Sequence, residues 1–152
     1  MSKSDNNLSK KQYITFSLGQ ERYGIELNEG KEILIPPELT RVPHTPAYVK
    51  GVINLRGGVI TVLDLKDILG IDQDVKYKEE DKRIIITNIE GITSGFMVDQ
   101  MQSILTFSID DIETENKNEM NSEFIKGIYT EANDLIPIID LKKLILSIKE
   151  ES

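Results

Sequence analysis

Cysteine and tryptophan are absent from this 152-residue chain, histidine occurs once, and there is neither a run of basic residues nor a long apolar stretch. Without cysteine there is no disulfide, no thiolate metal ligand and no thiol nucleophile, a usage compatible with a reducing compartment. The single His44 lies in the loop sequence RVPHTP. As a general base it would need an orienting carboxylate and a nucleophile, and as a metal ligand it would need several converging acids; no His-x-x-x-His spacing exists, so it is read as a loop histidine. Phe and Tyr make up only 6% of the chain, which makes the core aliphatic. Basic residues number 18 against 26 acidic ones, a net charge of −8, and this disfavours binding to a phosphate backbone, which rests on Lys and Arg displacing counterions. No apolar run approaches the ~18 residues of a membrane span, and MSKSDNNLSKKQ has no apolar signal-peptide core, so no membrane insertion and a cytoplasmic location are expected.

What the chain does have is a repeat. The segment Tyr48 to Leu69, YVKGVINLRGGVITVLDLKDIL, returns 76 positions later as FIKGIYTEANDLIPIIDLKKLI, from Phe124 to Ile145. Gly24-Ile25 and Ile33-Leu34 match Gly95-Phe96 and Ile104-Leu105 at an offset of 71. Two copies are too few for a solenoid and predict two similar subdomains. The length suffices for roughly 70% of the unfolded surface to be buried.

Apolar alternation predicts strands at Gln12 to Leu18 and Tyr23 to Leu27, with a turn at 19–22. A third short segment, Ile33 to Ile35, stops at Pro36-Pro37. Thr45-Pro46 resembles a helix start and predicts one helical turn through Tyr48 and Val49. Gly51 to Leu55 and Val59 to Leu63 read as a hairpin around Arg56-Gly57-Gly58, with the glycines supplying positive φ. Asp64 is placed to cap a short helix that ends at Gly70. Further hairpins are expected over 83–98 and 127–139, a continuing strand over 100–107, and a last helix from Asp140 to Lys149. Residues 72–82 form a charged connector between lobes, and 110–123 an acidic loop. Hairpins of about five strands per half favour two small closed barrels, because closure removes exposed edges, with an open sandwich as the alternative.

No catalytic, cofactor or metal site emerges from the residues. Asp110, Asp111 and Glu113, or Glu79 to Asp81, are adjacent acids of a solvated face and lack the ligand order of a calcium loop. Arg56-Gly57-Gly58 leads into a strand and not a helix, so it lacks the context of a phosphate loop. Glu32 and Arg56 invite pairing. Two roles stay open for them, a structural ion pair of little worth when exposed and a charged rim around an apolar recognition surface.

The segments YGI at Tyr23, KEIL at Lys31, RVPxTP at Arg41 and above all YVKGVINLRG from Tyr48 to Gly57, followed by VLDL, resemble the CheW-like family of bacterial chemotaxis. The resemblance spans about Gln12 to Ile148. It implies a mainly β fold of two five-stranded SH3-like barrel subdomains packed around a shared hydrophobic interface, with short helices including a C-terminal one. One domain over 12–150 follows, with a lobe boundary near 72–82, strand exchange between the lobes allowed for, and a flexible tail at 1–11. It further implies a non-enzymatic, cofactor-free adaptor that is cytoplasmic and recruited to membrane receptor arrays. Its partners would be the regulatory domain of a CheA-type histidine kinase and the cytoplasmic helical hairpin tip of chemoreceptors, the latter seated in the groove between the lobes. Glu32, Ile33, Gly51, Asn54, Leu55 and Arg56 match the family segment tied to receptor binding, while no residues are assigned to the kinase. Three departures stand out: Gly30 where valine is common, His44 where a small polar residue is common, and polar residues in place of a proline-containing segment over 111–121. Because the sequence runs from Met1 to an acidic tail after the last helix, a stand-alone adaptor is expected. The alternatives are a CheW-like fragment or paralogue in another receptor-kinase scaffold, a small nucleic-acid-binding barrel disfavoured by the acidic charge, and a hydrolase using Asp110, Asp111 or Glu113.

Overall fold

Tight turns between β-branched segments organise the chain. The computed structural model describes residues 10–71, 77–114 and 123–151, and it contains ten strands. β1 (Lys10–Leu18) turns at Gly19, φ 64°, into β2 (Glu21–Glu26). β3 is Gly30–Leu34, β4 is Val49–Leu55 and β5 is Gly58–Asp64. The β4–β5 turn places positive φ at Arg56 (49°) and Gly57 (83°), the two-residue geometry whose twist matches antiparallel strands. The expected pair of glycines is therefore shifted by one: Arg56 adopts the left-handed conformation and Gly58 already belongs to the strand. Glu90 and Gly91 (53° and 78°) repeat this turn between β6 (Arg83–Ile89) and β7 (Ile92–Val98). β8 (Gln100–Ser108), β9 (Ile125–Glu131) and β10 (Asp134–Ile139) complete the strands.

The strands form two five-stranded sheets, β8-β1-β2-β10-β9 and β3-β6-β7-β5-β4. Two compact units accompany them, one over 10–16, 21–28, 102–114 and 123–151, the other over 17–20, 29–71 and 77–101. Both sheets have the SH3-like order, and each contains one parallel contact. Those contacts explain the two repeat offsets, since Val62 pairs with Gly95 in one sheet and Ile138 with Gly24 in the other. Val62 and Ile138 differ by the 76 of one repeat, Gly24 and Gly95 by the 71 of the other. A Cβ on Gly24 would lie 3.1 Å from Ile138 Cδ1, and one on Gly95 would lie 2.8 Å from Ile84 Cγ2. Small residues are thus demanded where a branched neighbour crosses the rung.

The Lys-Gly element of both repeats has a local cause. Lys50 falls in a register shift between Val49↔Leu63 and Gly51↔Val62, and Lys126 in the matching shift between Ile138↔Gly127 and Ile139↔Ile125. Each lysine is the extra residue of a bulge, and each following glycine lies under a crossing segment. Thr40 bridges Val52 and Glu113 bridges Ile128, each through two backbone hydrogen bonds of 2.8–3.0 Å. The ladders themselves stay open, unlike the closed barrels expected from the pattern. Pro36 and Pro37 end β3, and a 3-10 turn at Ile109–Asp111 ends β8, so one bridge beyond each break spans the gap.

Each sheet has its own core. In the second, Ile53, Ile60, Val62, Ile84 and Ile86 pack with Leu34, Leu39, Leu55 and Met97. In the first, Tyr13, Phe107, Ile136 and Ile138 pack with Leu105, Ile112 and Tyr129, and the rings of Tyr13, Phe107 and Tyr129 stack at 4.0 and 3.7 Å. Asp64 caps α1 (Leu65–Leu69) by accepting from Lys66 N, and Gly70 ends it at φ 70°, both as the sequence predicts. Asp140 likewise accepts from Lys143 N at the start of α2 (Leu141–Glu151), whose Leu141, Leu144 and Ile145 are buried. The helical turn expected after Pro46 does not form. Val49 N donates to Pro46 O and the chain enters β4 at once, because strand pairing with β5 begins at Val49. In the acidic stretch Ser108 caps the 3-10 turn. Residues 1–9 of the expected tail, 72–76 of the connector and 115–122 of the acidic loop lie outside the described residues.

Glu26 joins β1, β2 and β9 through Lys11 at 3.0 Å and Lys126 at 2.9 Å. Burial pushes its carboxyl upward, but hydrogen bonds and charge from the two lysines outweigh this and hold it below the usual range. A lowered folded value means that the contribution is complete above the unfolded value of about 4.3 and disappears as pH falls through the folded one. Thermal melts from pH 6 to pH 3 should therefore show a steeper acid loss for the wild type than for Glu26→Gln. Equal slopes would remove Glu26 from the acid response.

Candidate functional site at the seam of the second sheet

The edges of the second sheet are β3 and β4, and they face one another without a ladder. Glu32 on β3 and Arg56 in the β4–β5 turn meet across that seam. Arg56 Nη1 donates to Glu32 Oε2 at 3.2 Å and Nη2 donates to Oε1, a bidentate pair. The guanidinium is mostly exposed and the carboxylate less so. Hydrogen bonding from Arg56 holds the Glu32 carboxyl below its ordinary value, and Glu32 raises that of Arg56. Both shifts favour the charged forms of the two partners at neutral pH.

The six residues matched to receptor binding do not all converge. Glu32 and Leu34 share one face of β3, with Leu34 on the core, so Ile33 lies on the opposite face, 46% exposed. Asn54 is exposed on β4 and pairs with Val59, which is 70% exposed. Leu55 packs on the core and Gly51 is buried. A Cβ on Gly51, whose φ is +150°, would lie 2.6 Å from Thr40 O. The outward surface therefore carries Ile33, Asn54 and two residues not singled out from the sequence, Val59 and Ile35, the latter 75% exposed. A shallow depression lined by Pro37, Glu38, Thr40, Val52, Asn54 and Val59 adjoins it. Alternation within the hairpin already turns Val59 away from Ile60. Ile35 follows the last residue of β3 and precedes Pro36, so no strand alternation assigns its face.

The matching position in the first sheet has a different chemistry. Ser103 stands where Glu32 does and Ala132 where Arg56 does, at the 71 and 76 offsets. Arg22 on β2 instead donates to Ser103 Oγ at 3.0 Å, to Thr15 Oγ1 at 3.1 Å and to Glu131 Oε1 at 3.2 Å. Among the described residues no group of three or more His, Asp or Glu side chains is placed to hold a metal, and none of the helices is long and apolar enough to cross a membrane. Asp111 accepts from Ser108 N as part of a cap. His44 is exposed at φ 64°.

The model of the CheW-like domain family matches residues 12–149. The chain belongs to the CheW-like family. Chemotaxis protein CheW of Bacillus subtilis strain 168 is 34% identical over 130 residues, covering 84% of this chain and 81% of the relative. CheW of Helicobacter pylori is 30% identical over 145 residues, covering 95% and 87%. Chemotaxis protein CheV3 of the same organism is 34% identical over 131 residues, but the match spans only 42% of that longer protein. The crystal structure of the scaffolding protein TtCheW from Thermoanaerobacter tengcongensis superposes with a TM-score of 0.80 at 34% identity, over 88% of this chain and 86% of that one. The CheW-like fold thus accounts for both sheets, and the Glu32–Arg56 pair lies within the part of the chain that the family model covers.

Proposed function

We propose that this chain is a non-enzymatic adaptor of chemotaxis signal transduction that couples transmembrane chemoreceptors to a CheA-type histidine kinase. The observation that carries this is the family match across nearly the whole chain, joined by a structural likeness to a scaffolding protein at 34% identity. The seam supplies suitable recognition chemistry. Exposed Ile33, Ile35 and Val59 offer apolar anchors, and Glu32 with Arg56 supplies a charged, oriented rim. A helical hairpin from a receptor tip fits such a surface, and the homologous regulatory domain of the kinase is the second partner. An apolar surface of this kind, on a chain with net charge −8, does not suit the alternative of a nucleic-acid-binding barrel.

Calorimetric titration with a chemoreceptor cytoplasmic fragment tests the assignment. Arg56→Ala and Glu32→Lys should each weaken binding by about tenfold, the scale of one lost oriented contact. Because the pair is solvent-exposed, the thermal midpoint should stay within about 2 °C of wild type. Unchanged affinity for both variants would remove the pair from the interface, and failure of the wild type to bind the fragment would reject the receptor assignment.

A further inference from the structure

The seam itself is a thin closure. The β4–β5 ladder runs from Val49↔Leu63 to Leu55↔Gly58 with one bulge at Lys50, and the β6–β7 ladder runs without a shift from Arg83↔Val98 to Ile89↔Ile92. Between the two edges of the sheet, only the Thr40↔Val52 bridge is formed among the described residues. Its two hydrogen bonds, Thr40 N to Val52 O at 3.0 Å and Val52 N to Thr40 O at 2.8 Å, require the crossing chain to lie directly over Gly51. Glu32 precedes this crossing and Arg56 follows it, so the same closure sets the distance between them. The first sheet repeats the device at Glu113, Gly127 and Ile128, but there Arg22 from the interior strand β2 bonds Ser103 on β8 and Glu131 on β9 in place of a direct edge-to-turn pair. Closure is therefore a property of the scaffold, and the direct pairing of an edge-strand Glu with the turn Arg is particular to the second sheet.

We propose that Thr40 and Gly51 are positioning residues of the partner site: their bridge holds the seam at the width at which Glu32 and Arg56 pair, and the partner binds this closed form. This rests on the adaptor reading. Gly51 is buried beneath Thr40 and offers the partner no surface, so a side chain there acts by lifting the crossing segment. Backbone opening of the seam separates carboxylate from guanidinium without altering either.

The test combines amide exchange with binding of a chemoreceptor cytoplasmic hairpin fragment, using the full chain. Gly51→Ala should speed exchange of the Thr40 and Val52 amides by about tenfold or more while the amides of β6 keep wild-type protection, and should weaken binding about tenfold. Arg56→Ala should weaken binding with seam exchange unchanged. Because the chain has no cysteine, Thr40→Cys with Val52→Cys gives a single switchable lock. A hydrogen-bonded antiparallel pair has Cα atoms about 5.5 Å apart, within the disulfide range. The oxidised lock should bind like the wild type with slower seam exchange. Weakened binding by Gly51→Ala with unchanged seam exchange would make Gly51 a contact residue and overturn the proposal, as would an open seam with unchanged binding. Affinity lost on oxidation of the lock and regained on reduction would show that the partner needs an open seam, also overturning it. No binding by the wild type would instead reject the adaptor reading, and the proposal with it.

Discussion

Asp99→Ala is expected to destabilise the protein by about 3–5 kcal/mol, the cost of breaking a buried charge pair from one side. Asp99 is 2% exposed between β7 and β8. Its Oδ1 lies 3.1 Å from Lys66 Nζ, itself largely buried, and its Oδ2 accepts from Gly19 N at 2.8 Å. Its own N–H donates to Ser17 O at 3.1 Å. One carboxylate thus satisfies a buried ammonium on α1 and a buried amide in the β1–β2 turn, both of which alanine would leave without this acceptor. At roughly 2–4 °C per kcal/mol for a chain of this size, the thermal midpoint should fall by about 10 °C. Asp99→Asn keeps an acceptor for Gly19 but loses the charge facing Lys66, so an intermediate loss is expected. Urea unfolding of the three proteins decides the matter. A loss below about 1 kcal/mol for alanine would show that water replaces the carboxylate at both partners.

Gly127→Ala should cost about 2–3 kcal/mol, at the upper end of overpacking penalties. A Cβ there would lie 2.1 Å from Ile112 Cγ2 and 3.0 Å from Glu113 O. The methyl must displace either the side chain that packs on the Tyr13–Phe107 core or the backbone that bridges Ile128. Ile112→Ala removes the first obstacle. In Gly127→Ala/Ile112→Ala the combined loss should therefore be smaller than the sum of the single losses, because the cavity of one variant accepts the methyl of the other. Strict additivity would place the cost in the backbone of Glu113 and not in the side chain.

Much of this was legible in the residues because it is local or repeated. Alternation marked the strands, Asp64 and Gly70 marked the ends of a short helix, and the 76- and 71-residue offsets marked a duplicated unit. The candidate site was half legible. Glu32 and Arg56 stand beside apolar strands in the sequence and meet in a bidentate contact in the fold. Alternation against Ile60 turns Val59 outward, whereas the exposure of Ile35, just past the end of β3, is apparent only in the fold. Gly51 belongs by resemblance to the family segment tied to receptor binding, yet it lies buried beneath Thr40.

By itself, then, the sequence determined a cysteine-free, acidic, mainly β chain built from two copies of one unit, together with the turns and caps that punctuate it. These follow from side-chain period, backbone preference and charge, all of which act over a few residues. Only the tertiary structure decided that two repeat offsets meet at Val62 with Gly95 and at Ile138 with Gly24. It alone placed Thr40 over Gly51 and Glu113 over Gly127, and gave Asp99 both Lys66 and Gly19 as partners. Such pairings depend on which distant strands share an edge, and pair energies of a few kcal/mol leave no periodicity along the chain to reveal them.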